Sequence, residues 1–421
     1  MTTTRLPRSR NQRPGVASRD ADVQPSGEAP PRRSGASAIL VAQRVFGAET
    51  STFFLLLGTT LFLVIFGLIM VLSSSSVDDG ASAGHDFFSS FTRQGLYALI
   101  GVPLMLVSSR MPIGFWKKWA WPAVLATSAL QLLVFVPGLS YGFQGNQNWI
   151  KIGGFTAQPS ELVKLALILW VAWILSRKEH LLSDWKHVAL PIAPVAGVAI
   201  GLVLAGKDLG TAIILVSIVM GCLFYAGVRM RILVVAGVVL AAIGLIFTQV
   251  GSSRSDRIGA WLGGCTSAAE LQKACWQTVH AWWGIASGGI FGSGLGESKV
   301  KWGWLPEADN DFLFAIIGEE LGLIGAVLVL GLFVLLAIAF VRIIRTSRDP
   351  FAKLVTSGVM IWLIGQAFVN IAVVLGFLPV LGVPLPLLSA GGSSLIASLV
   401  GIGVVLSFAR RAPVQAARDQ S

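Results

Sequence analysis

Charge is scarce in this sequence. Only 13% of its 421 residues are charged, which is about half of the ~25% usual in soluble domains. Hydrophobic residues make up 54%, and they gather in uninterrupted runs long enough to cross a bilayer. The shortage of charge excludes a soluble globular protein and indicates an integral membrane protein.

The sequence predicts neither a nucleic-acid-binding patch nor a cleavable N-terminal signal peptide. The net charge is +11, but the basic residues punctuate the apolar runs instead of interleaving with aromatics, which argues against a nucleic-acid partner. Residues 1–44 contain eight Arg and no long apolar run. We therefore expect a disordered basic tail in place of a cleavable signal peptide, and a second short tail at residues 411–421.

The apolar runs predict an all-α, polytopic membrane protein. We place ten transmembrane helices at 53–72, 95–109, 119–137, 160–176, 188–205, 209–227, 232–250, 312–341, 354–375 and 392–409. If the N-terminus is cytoplasmic, the inside segments hold 23 of the 32 basic residues, as the positive-inside rule requires. Both termini are therefore expected in the cytoplasm, flanking a transmembrane domain of residues 45–410.

Three segments on the predicted outer face are unusual. Residues 251–311, between the seventh and eighth spans, form a large extracytoplasmic loop that is rich in Trp, and this composition argues against disorder. Residues 138–159 are rich in Gly, Gln and Asn, and residues 376–391 are rich in Pro. Loops longer than about 15 residues are commonly functional, so we expect the chemistry in the first segment.

Charged side chains near the ends of two predicted spans indicate a polar cavity. QPSELVK, residues 158–164, places Glu161 and Lys164 on one helix face. A charge deep in a span costs about 2.5–3.5 kcal/mol, so such residues usually face a cavity or each other; interfacial snorkelling is the alternative. Asp208, in KDLGT, could cap the following helix or converge with Glu161 over the cavity.

The densest group of carboxylates lies in WGWLPEADNDFLFAIIGEELG, residues 302–322. Its five members are Glu307, Asp309, Asp311, Glu319 and Glu320. The uncharged run from Leu321 to Val341 is long enough to cross the bilayer alone. This pattern predicts one helix that begins near Asp311 and projects above the hydrocarbon, with Asp311 either as its cap or as a functional carboxylate.

Cysteine and histidine are rare, with three and four residues respectively. The histidines show no metal-ligand spacing, and Cys222 is expected to be a small buried residue. Cys265 and Cys275 share the outer loop, where disulfides are stable, so we expect them to pair. GGIFGSGLGES, residues 288–298, could cradle a pyrophosphate through backbone N–H groups or form a simple flexible turn.

Five ordered motifs resemble those of the SEDS family, named for shape, elongation, division and sporulation. They are QPSELVK (158–164), KDLGT (207–211), GIFGSGLGES (289–298), LPEADNDFLFAIIGEELGLIG (305–325) and PVLGVPLPLLSAGGSS (379–394). The resemblance implies a peptidoglycan glycosyltransferase that polymerises the lipid-linked disaccharide-pentapeptide, lipid II, on the outer face of the cytoplasmic membrane. The alternatives are a flippase for lipid II and a noncatalytic division scaffold.

The long basic tail is more similar to the cell-division branch of the family than to the elongation branch. That branch implies a location at the division septum. It also implies a class B penicillin-binding protein transpeptidase, together with other division proteins, as partners.

The resemblance also implies roles for individual residues. Asp311 corresponds to the family's essential carboxylate, and Glu161, Lys164 and Asp208 match polar residues of its central cavity. Many members have His-Thr before the essential carboxylate, whereas this sequence has Asp309 and Asn310. A role for that His therefore does not carry over to this chain.

Chain growth requires a sugar 4-hydroxyl to attack an anomeric carbon that carries a lipid pyrophosphate, through an oxocarbenium-like transition state. We assign Asp311 as the general base, and we expect Glu307 and Asp309 to contact the substrate. The departing pyrophosphate needs positive charge, which a divalent cation such as Mg²⁺ or Mn²⁺ could supply. The basic side chains that could supply it instead are Lys299, Lys301, Arg254 and Arg257.

Overall fold

The computed structural model describes residues 50–75, 88–143, 146–152, 155–182, 184–249, 252–265, 275–302, 304–306 and 308–410. Both predicted tails, 1–44 and 411–421, lie outside these residues. The transmembrane domain predicted at residues 45–410 is described from residue 50 onward.

Thirteen α-helices form most of the described fold. They are α1 Ser51–Ser75, α2 Ser89–Ser108, α3 Ile113–Leu132, α4 Pro159–Arg177, α5 Trp185–Ala205, α6 Leu209–Tyr225, α7 Met230–Gln249, α8 Ser252–Gly263, α9 Trp276–Gly288, α10 Leu313–Glu320, α11 Gly322–Thr346, α12 Pro350–Val374 and α13 Ser393–Ala409. Short 3-10 turns follow α3, at Leu133–Phe135, and α4, at Glu179–Leu181.

The helices confirm a multi-pass membrane fold. In the described residues, five helices are long and apolar enough to cross a bilayer, namely α1, α4, α5, α11 and α12, and shorter apolar helices occur in α6, α7 and α13. The remaining two predicted spans correspond to α2 and α3, which accommodate Pro103 and Pro122 inside continuous helices. Each of the ten predicted spans therefore has a helical counterpart in the same order.

The eighth predicted span is interrupted. The sequence predicts one helix from residue 312, but α10 ends at Glu320 and α11 begins at Gly322, with Leu321 between them. Gly322 has φ +65°, a left-handed conformation that costs other residues about 1–2 kcal/mol. A Cβ at this position would also clash with the backbone of Ile290 and Gly292. The single-helix prediction is therefore corrected to two helices joined at a glycine.

The polar segments between spans contain regular secondary structure. Residues 138–159 contain a three-stranded antiparallel sheet, β1 Ser140–Phe143, β2 Asn146–Ile152 and β3 Phe155–Ala157, in the order β1-β2-β3. Residues 251–311 contain α8 and α9. The all-α description thus holds for the membrane portion, while one connecting segment is a small sheet.

The innermost helices are α4, α12 and α13. Fifteen of the nineteen residues of α4 are buried, and this helix packs against α3, α6 and α12. Helix α13 packs against α2, and α5 and α11 expose much of their apolar surface, as lipid-facing helices do. Since α2, α4, α6, α10 and α13 all begin at one end of the bundle, we call it the cavity end.

Candidate functional site

A cavity of about 170 Å³ opens at the cavity end. Its walls come from β2, the start of α6, helix α8, the segment before α10 and the Pro-rich segment before α13. The charged side chains in this lining are Lys207, Asp208, Arg257 and Asp311. The first cavity, as we call it, therefore brings together residues from distant parts of the sequence.

Asp208 is both a helix cap and part of the cavity wall. Its Oδ1 accepts a hydrogen bond from the Thr211 backbone N–H at 2.9 Å, which caps α6 as the sequence predicts. Its Oδ2 accepts hydrogen bonds from the side-chain amides of Asn148, at 3.0 Å, and Gln158, at 2.9 Å. These three donors hold the carboxylate between the sheet, α4 and α6.

Asp311 lies at the cavity without capping a helix. The N-cap position of α10 belongs to Phe312, and α10 has no side-chain cap, so the capping alternative for Asp311 is wrong. The Asn370 amide Nδ2 donates to the backbone carbonyls of Asp311, at 2.7 Å, and Val383, at 2.8 Å. A Cβ built on Gly382 would lie 3.5 Å from Asp311 Oδ2, so the carboxylate faces the Pro-rich segment across a narrow gap.

Glu161 and Lys164 lie below the cavity floor. Both residues are 1% exposed, and Lys164 Nζ donates to Glu161 Oε1 and to Gln366 Oε1, each at 2.9 Å. Gln366 Nε2 in turn donates to the carbonyl of Pro384, which lines the cavity. The expected Glu161–Lys164 pair is therefore present, but neither residue reaches the cavity surface beside Asp208.

A second cavity, of about 370 Å³, lies on the other side of residues 309–311. Asp309 and Arg93 line it, and Asp311 does not. Trp149, Asn310 and Gly391 line both cavities. Residues 309–311 form the dividing wall between the two cavities. The Asp309 carbonyl accepts a hydrogen bond from the Ala390 N–H at 2.9 Å, which fixes this wall to the Pro-rich segment.

Lys301 does not line either cavity. It is 2% exposed, and its Nζ donates to Glu320 Oε1 at 3.2 Å and to the carbonyls of Ser73, at 3.0 Å, and Gly296, at 2.7 Å. Glu319 is equally buried, and it accepts hydrogen bonds from the Ser298 hydroxyl and the Lys299 N–H. The assignment of Lys301 to the pyrophosphate is corrected, because this cluster anchors the loop to the α10–α11 junction.

The Gly-rich run caps the end of α10. The N–H groups of Ser293 and Gly294 donate to the carbonyls of Glu319 and Glu320, at 2.9 and 3.0 Å, and the Gly292 N–H donates to Gly288. These N–H groups already have acceptors, so they are not available as a pyrophosphate nest. The run is neither a phosphate loop nor a free turn.

The remaining predicted residues fall in three groups. Arg257 lines the first cavity, Lys299 has an exposed side chain, and Glu307 and the side chain of Arg254 lie outside the described residues. Cys265 and Cys275 form a disulfide, which confirms the predicted pair. These cysteines and Arg257 line an adjoining cavity of about 190 Å³, so the disulfide braces the region that carries Arg257.

A metal ion has few protein ligands at this site. The described residues contain no group of three or more His, Cys, Asp or Glu that could hold a metal. Both oxygens of Asp208 already accept hydrogen bonds, and Asp311 is the other carboxylate in the lining of the first cavity. Mg²⁺ is often bound by one or two carboxylates together with substrate phosphates and water, and the first cavity fits that mode.

Three residues that shape the site were not among the predicted site residues. Gln366 and Asn370 are buried amides one turn apart on α12, and uncharged polar side chains at i and i+4 inside a span would have been the signal. Arg93 has no local pattern that marks it as a site residue. Its position beside the second cavity depends on chain segments far away in sequence.

The chain is similar to known proteins over most of its length. A family model described as FTSW_RODA_SPOVE, cell cycle protein, matches residues 53–413. The chain is 39% identical over 372 residues to a probable peptidoglycan glycosyltransferase FtsW of Mycobacterium tuberculosis, covering 87% of this chain and 69% of that protein. It is 40% identical to a protein of the same name from Geobacter sp. strain M18, covering 83% of this chain and 94% of that protein.

A solved structure shares the fold. A chain from a study of the structural coordination of polymerization and crosslinking by a peptidoglycan synthase complex matches with a TM-score of 0.68 and 27% identity, covering 85% of this chain and 97% of that chain. Sequence motifs, fold and relatives agree. The chain belongs to the FtsW, RodA and SpoVE family of cell cycle proteins, the SEDS family.

Proposed function

We propose that this protein is a peptidoglycan glycosyltransferase that polymerises lipid II into glycan strands during cell division. The observation that carries the proposal is the carboxylate of Asp311, held at the first cavity of a membrane bundle whose relatives are named probable peptidoglycan glycosyltransferases. A carboxylate at a cavity on one end of the bundle suits a reaction on a lipid-linked sugar whose headgroup lies at the membrane surface.

In the proposed reaction, Asp311 accepts the proton of an acceptor sugar hydroxyl. The hydroxyl oxygen forms a bond to the anomeric carbon of a donor sugar, the bond from that carbon to the pyrophosphate breaks, and the electron pair leaves with the pyrophosphate. The backbone of Asp311 is held by Asn370, so the base is positioned before substrate arrives. Such preorganisation lowers the barrier because little rearrangement accompanies the chemistry.

Positive charge beside the base would bind the substrate's phosphates. Arg257 and Lys207 line the same cavity as Asp311, and a guanidinium suits paired phosphate oxygens. A divalent cation bound by Asp311 and the phosphates would supply further positive charge. Omission of Mg²⁺ and Mn²⁺ from a polymerisation assay tests that part of the proposal.

The proposed location is the cytoplasmic membrane at the septum, with the cavity end outside. The Cys265–Cys275 disulfide at this end supports that orientation, because disulfides persist in oxidising compartments. The bias of basic residues toward the opposite loops supports it as well. A class B penicillin-binding protein is the proposed partner, since the structural neighbour belongs to a complex in which polymerization and crosslinking are coordinated.

Polymerisation by purified protein in detergent tests the function. We expect glycan strands from lipid II, and their loss in the variant Asp311→Asn. A pure flippase makes no glycan in detergent, where no second leaflet exists, and a noncatalytic scaffold tolerates Asp311→Asn. Either outcome would replace the glycosyltransferase proposal.

A further inference from the structure

Polymerisation of a lipid-linked saccharide requires two substrate molecules at once. One supplies the anomeric carbon as donor, the other supplies the hydroxyl as acceptor, and each carries a polyprenyl pyrophosphate. Where the two molecules bind can be inferred from the structure, provided that the proposed function holds. The two cavities, of about 170 and 370 Å³, are the candidate places for them.

The two cavities meet at one wall. Asp311 lines the first cavity and Asp309 the second, while Asn310 and Trp149 line both. Each cavity also contains an arginine, Arg257 in the first and Arg93 in the second. Two pyrophosphate-bearing substrates need two sites of positive charge, and this arrangement provides one on each side of the wall.

Arg93 is built into the second cavity by the helix that carries it. It lies in the first turns of α2, where the helix dipole also favours an anion. The next residue, Gln94, is 3% exposed and bridges to the Pro-rich segment, donating to the Ser389 carbonyl at 2.9 Å and accepting from the Gly392 N–H at 3.2 Å. The Tyr97 hydroxyl donates to the Thr156 carbonyl at 3.0 Å. These bonds hold α2 against the cavity.

The same face of α2 continues into an apolar surface. Leu96 and Ile100 lie three and seven residues after Arg93, so they share its helix face, and they are 41% and 42% exposed. A ligand with its phosphates at Arg93 could therefore lay a hydrocarbon chain along α2 toward the bilayer interior. This combination of a cation above an apolar strip matches an amphiphile with an anionic head.

The chemistry decides which substrate takes which cavity. The hydroxyl that loses its proton must lie beside Asp311, in the first cavity. In a displacement with a base on one face of the sugar, the leaving group departs from the opposite face. With the base in the first cavity, the departing pyrophosphate is therefore directed into the second cavity.

We propose that the second cavity binds the donor's polyprenyl pyrophosphate, with Arg93 contacting the leaving group, while the first cavity binds the acceptor. The anomeric carbon then lies at the junction formed by Asn310 and Trp149. The bond from this carbon to the phosphate oxygen breaks, and the electron pair stays on the pyrophosphate beside Arg93.

Binding stoichiometry in an inert chain tests the proposal. In the Asp311→Asn background, native mass spectrometry of the full chain with lipid II should show two lipids bound per chain. Adding Arg93→Gln should weaken one of the two sites by about 10- to 100-fold, the range expected for loss of a charge-assisted contact. Undecaprenyl pyrophosphate, which lacks the sugar, should compete for the site that Arg93→Gln weakens.

The matched control is Arg110→Gln, which removes an exposed arginine just beyond the other end of α2 and should leave both sites intact. One lipid bound to the Asp311→Asn chain, or two equally tight sites after Arg93→Gln, would overturn the proposal. Arg93→Lys keeps the charge and should restore part of the affinity, which separates a binding role from a folding defect. Lipid binding and glycan formation are measured separately. A parent chain that binds two lipids but makes no glycan would therefore contradict the proposed function and not the assignment of the two cavities.

Discussion

At the scale of single residues, Asp311 can be tested as a base without removing a helix cap, because Phe312 occupies the N-cap of α10. Asp311→Asn preserves size but cannot accept a proton. We expect near-native thermal stability and a rate of glycan formation from lipid II that is lower by about 100- to 10,000-fold, as for loss of a general base.

The control for Asp311→Asn is Asp184→Asn. Asp184 caps α5 at the opposite end of the bundle, accepting from the Lys186 N–H at 3.0 Å, and asparagine caps about as well as aspartate. This variant should polymerise at the parent rate. If Asp311→Asn also did so, the base would have to be sought among its acidic neighbours, with Asp309 or Glu307 next in line.

Asn370 is expected to position the base. Its Nδ2 is the shared donor to the carbonyls of Asp311 and Val383, and an unpaired buried carbonyl costs about 1–3 kcal/mol. Asn370→Leu should lower the melting temperature modestly and lower kcat by up to about 100-fold, the effect of a small misplacement of a catalytic group. KM should change less, because the cavity lining remains.

Gln131→Leu provides a matched control for Asn370→Leu. Gln131 is a fully buried amide on α3, and neither its Oε1 nor its Nε2 has a hydrogen-bond partner among the described residues. Its replacement should leave kcat unchanged and stability equal or higher. An Asn370→Leu enzyme with the parent kcat would show that the bridge is structural only.

The sequence predicted residues whose role is local and missed those whose role depends on distant contacts. The Asp208 cap follows from the residue itself and the helix after it. The burial of Lys301 depends on Ser73 and Glu320, which no local pattern connects to it. Asn370 likewise acts on Asp311, which lies 59 residues earlier in the chain.

At the scale of elements, the Glu161–Lys164 pair joins α4 to α12 through Gln366. Lys164→Ala leaves Glu161 buried without its cation, which costs about 3–5 kcal/mol when burial is complete. We expect a large loss of folded protein and of activity in a thermal-stability and polymerisation assay, and only a small loss for Lys151→Ala, whose side chain is exposed on β2.

A double variant extends that test. Lys164→Met with Glu161→Gln removes both charges, so it should recover part of the stability lost in Lys164→Ala. Equal and mild effects of Lys164→Ala and Lys151→Ala would mean that the pair does not bind α4 to α12.

The junction between α10 and α11 is expected to require glycine. Gly322→Ala adds a Cβ where φ is +65° and the backbone of Gly292 approaches, so it should destabilise the protein by more than the ~1–2 kcal/mol of the left-handed conformation alone. Gly331→Ala, in the middle of α11, meets no atom within 4 Å and should be neutral or slightly stabilising. Thermal unfolding of both variants in detergent would measure the contrast.

Hydrophobic runs predicted the spans well because burial in lipid acts on whole segments. They could not show the α10–α11 junction, since Leu321 and Gly322 are as apolar as a continuous span requires, and the break depends on the packing of residues 288–294 against it. The sheet at 140–157 was missed for a related reason: its Gly, Gln and Asn content is typical of loops, and strand pairing overrides that tendency.

At the scale of the whole molecule, we expect activity to depend on a second protein. The structural neighbour belongs to a peptidoglycan synthase complex. Co-purification with the class B penicillin-binding protein should therefore raise the rate of glycan formation from lipid II. The increase should persist when the transpeptidase is blocked with penicillin, because contact rather than cross-linking would cause it. An isolated chain that is as fast alone as in the complex would contradict this dependence.

The unequal lengths of the helices have a consequence for access to the membrane. Helices α6 and α13 have 17 residues each, or roughly 25 Å, whereas α1 and α11 have 25 residues each, or roughly 37 Å. The hydrocarbon core is about 30 Å thick, so α6 and α13 fall short of it while α1 and α11 exceed it. Because α6 begins directly after Asp208 and α13 directly after Gly392, a shortfall at the starts of these helices would form a hollow at the cavity end. A polyprenyl pyrophosphate can then react at the depth where its phosphates already reside, without being drawn out of the bilayer. A thicker membrane would place the hollow inside the hydrocarbon core.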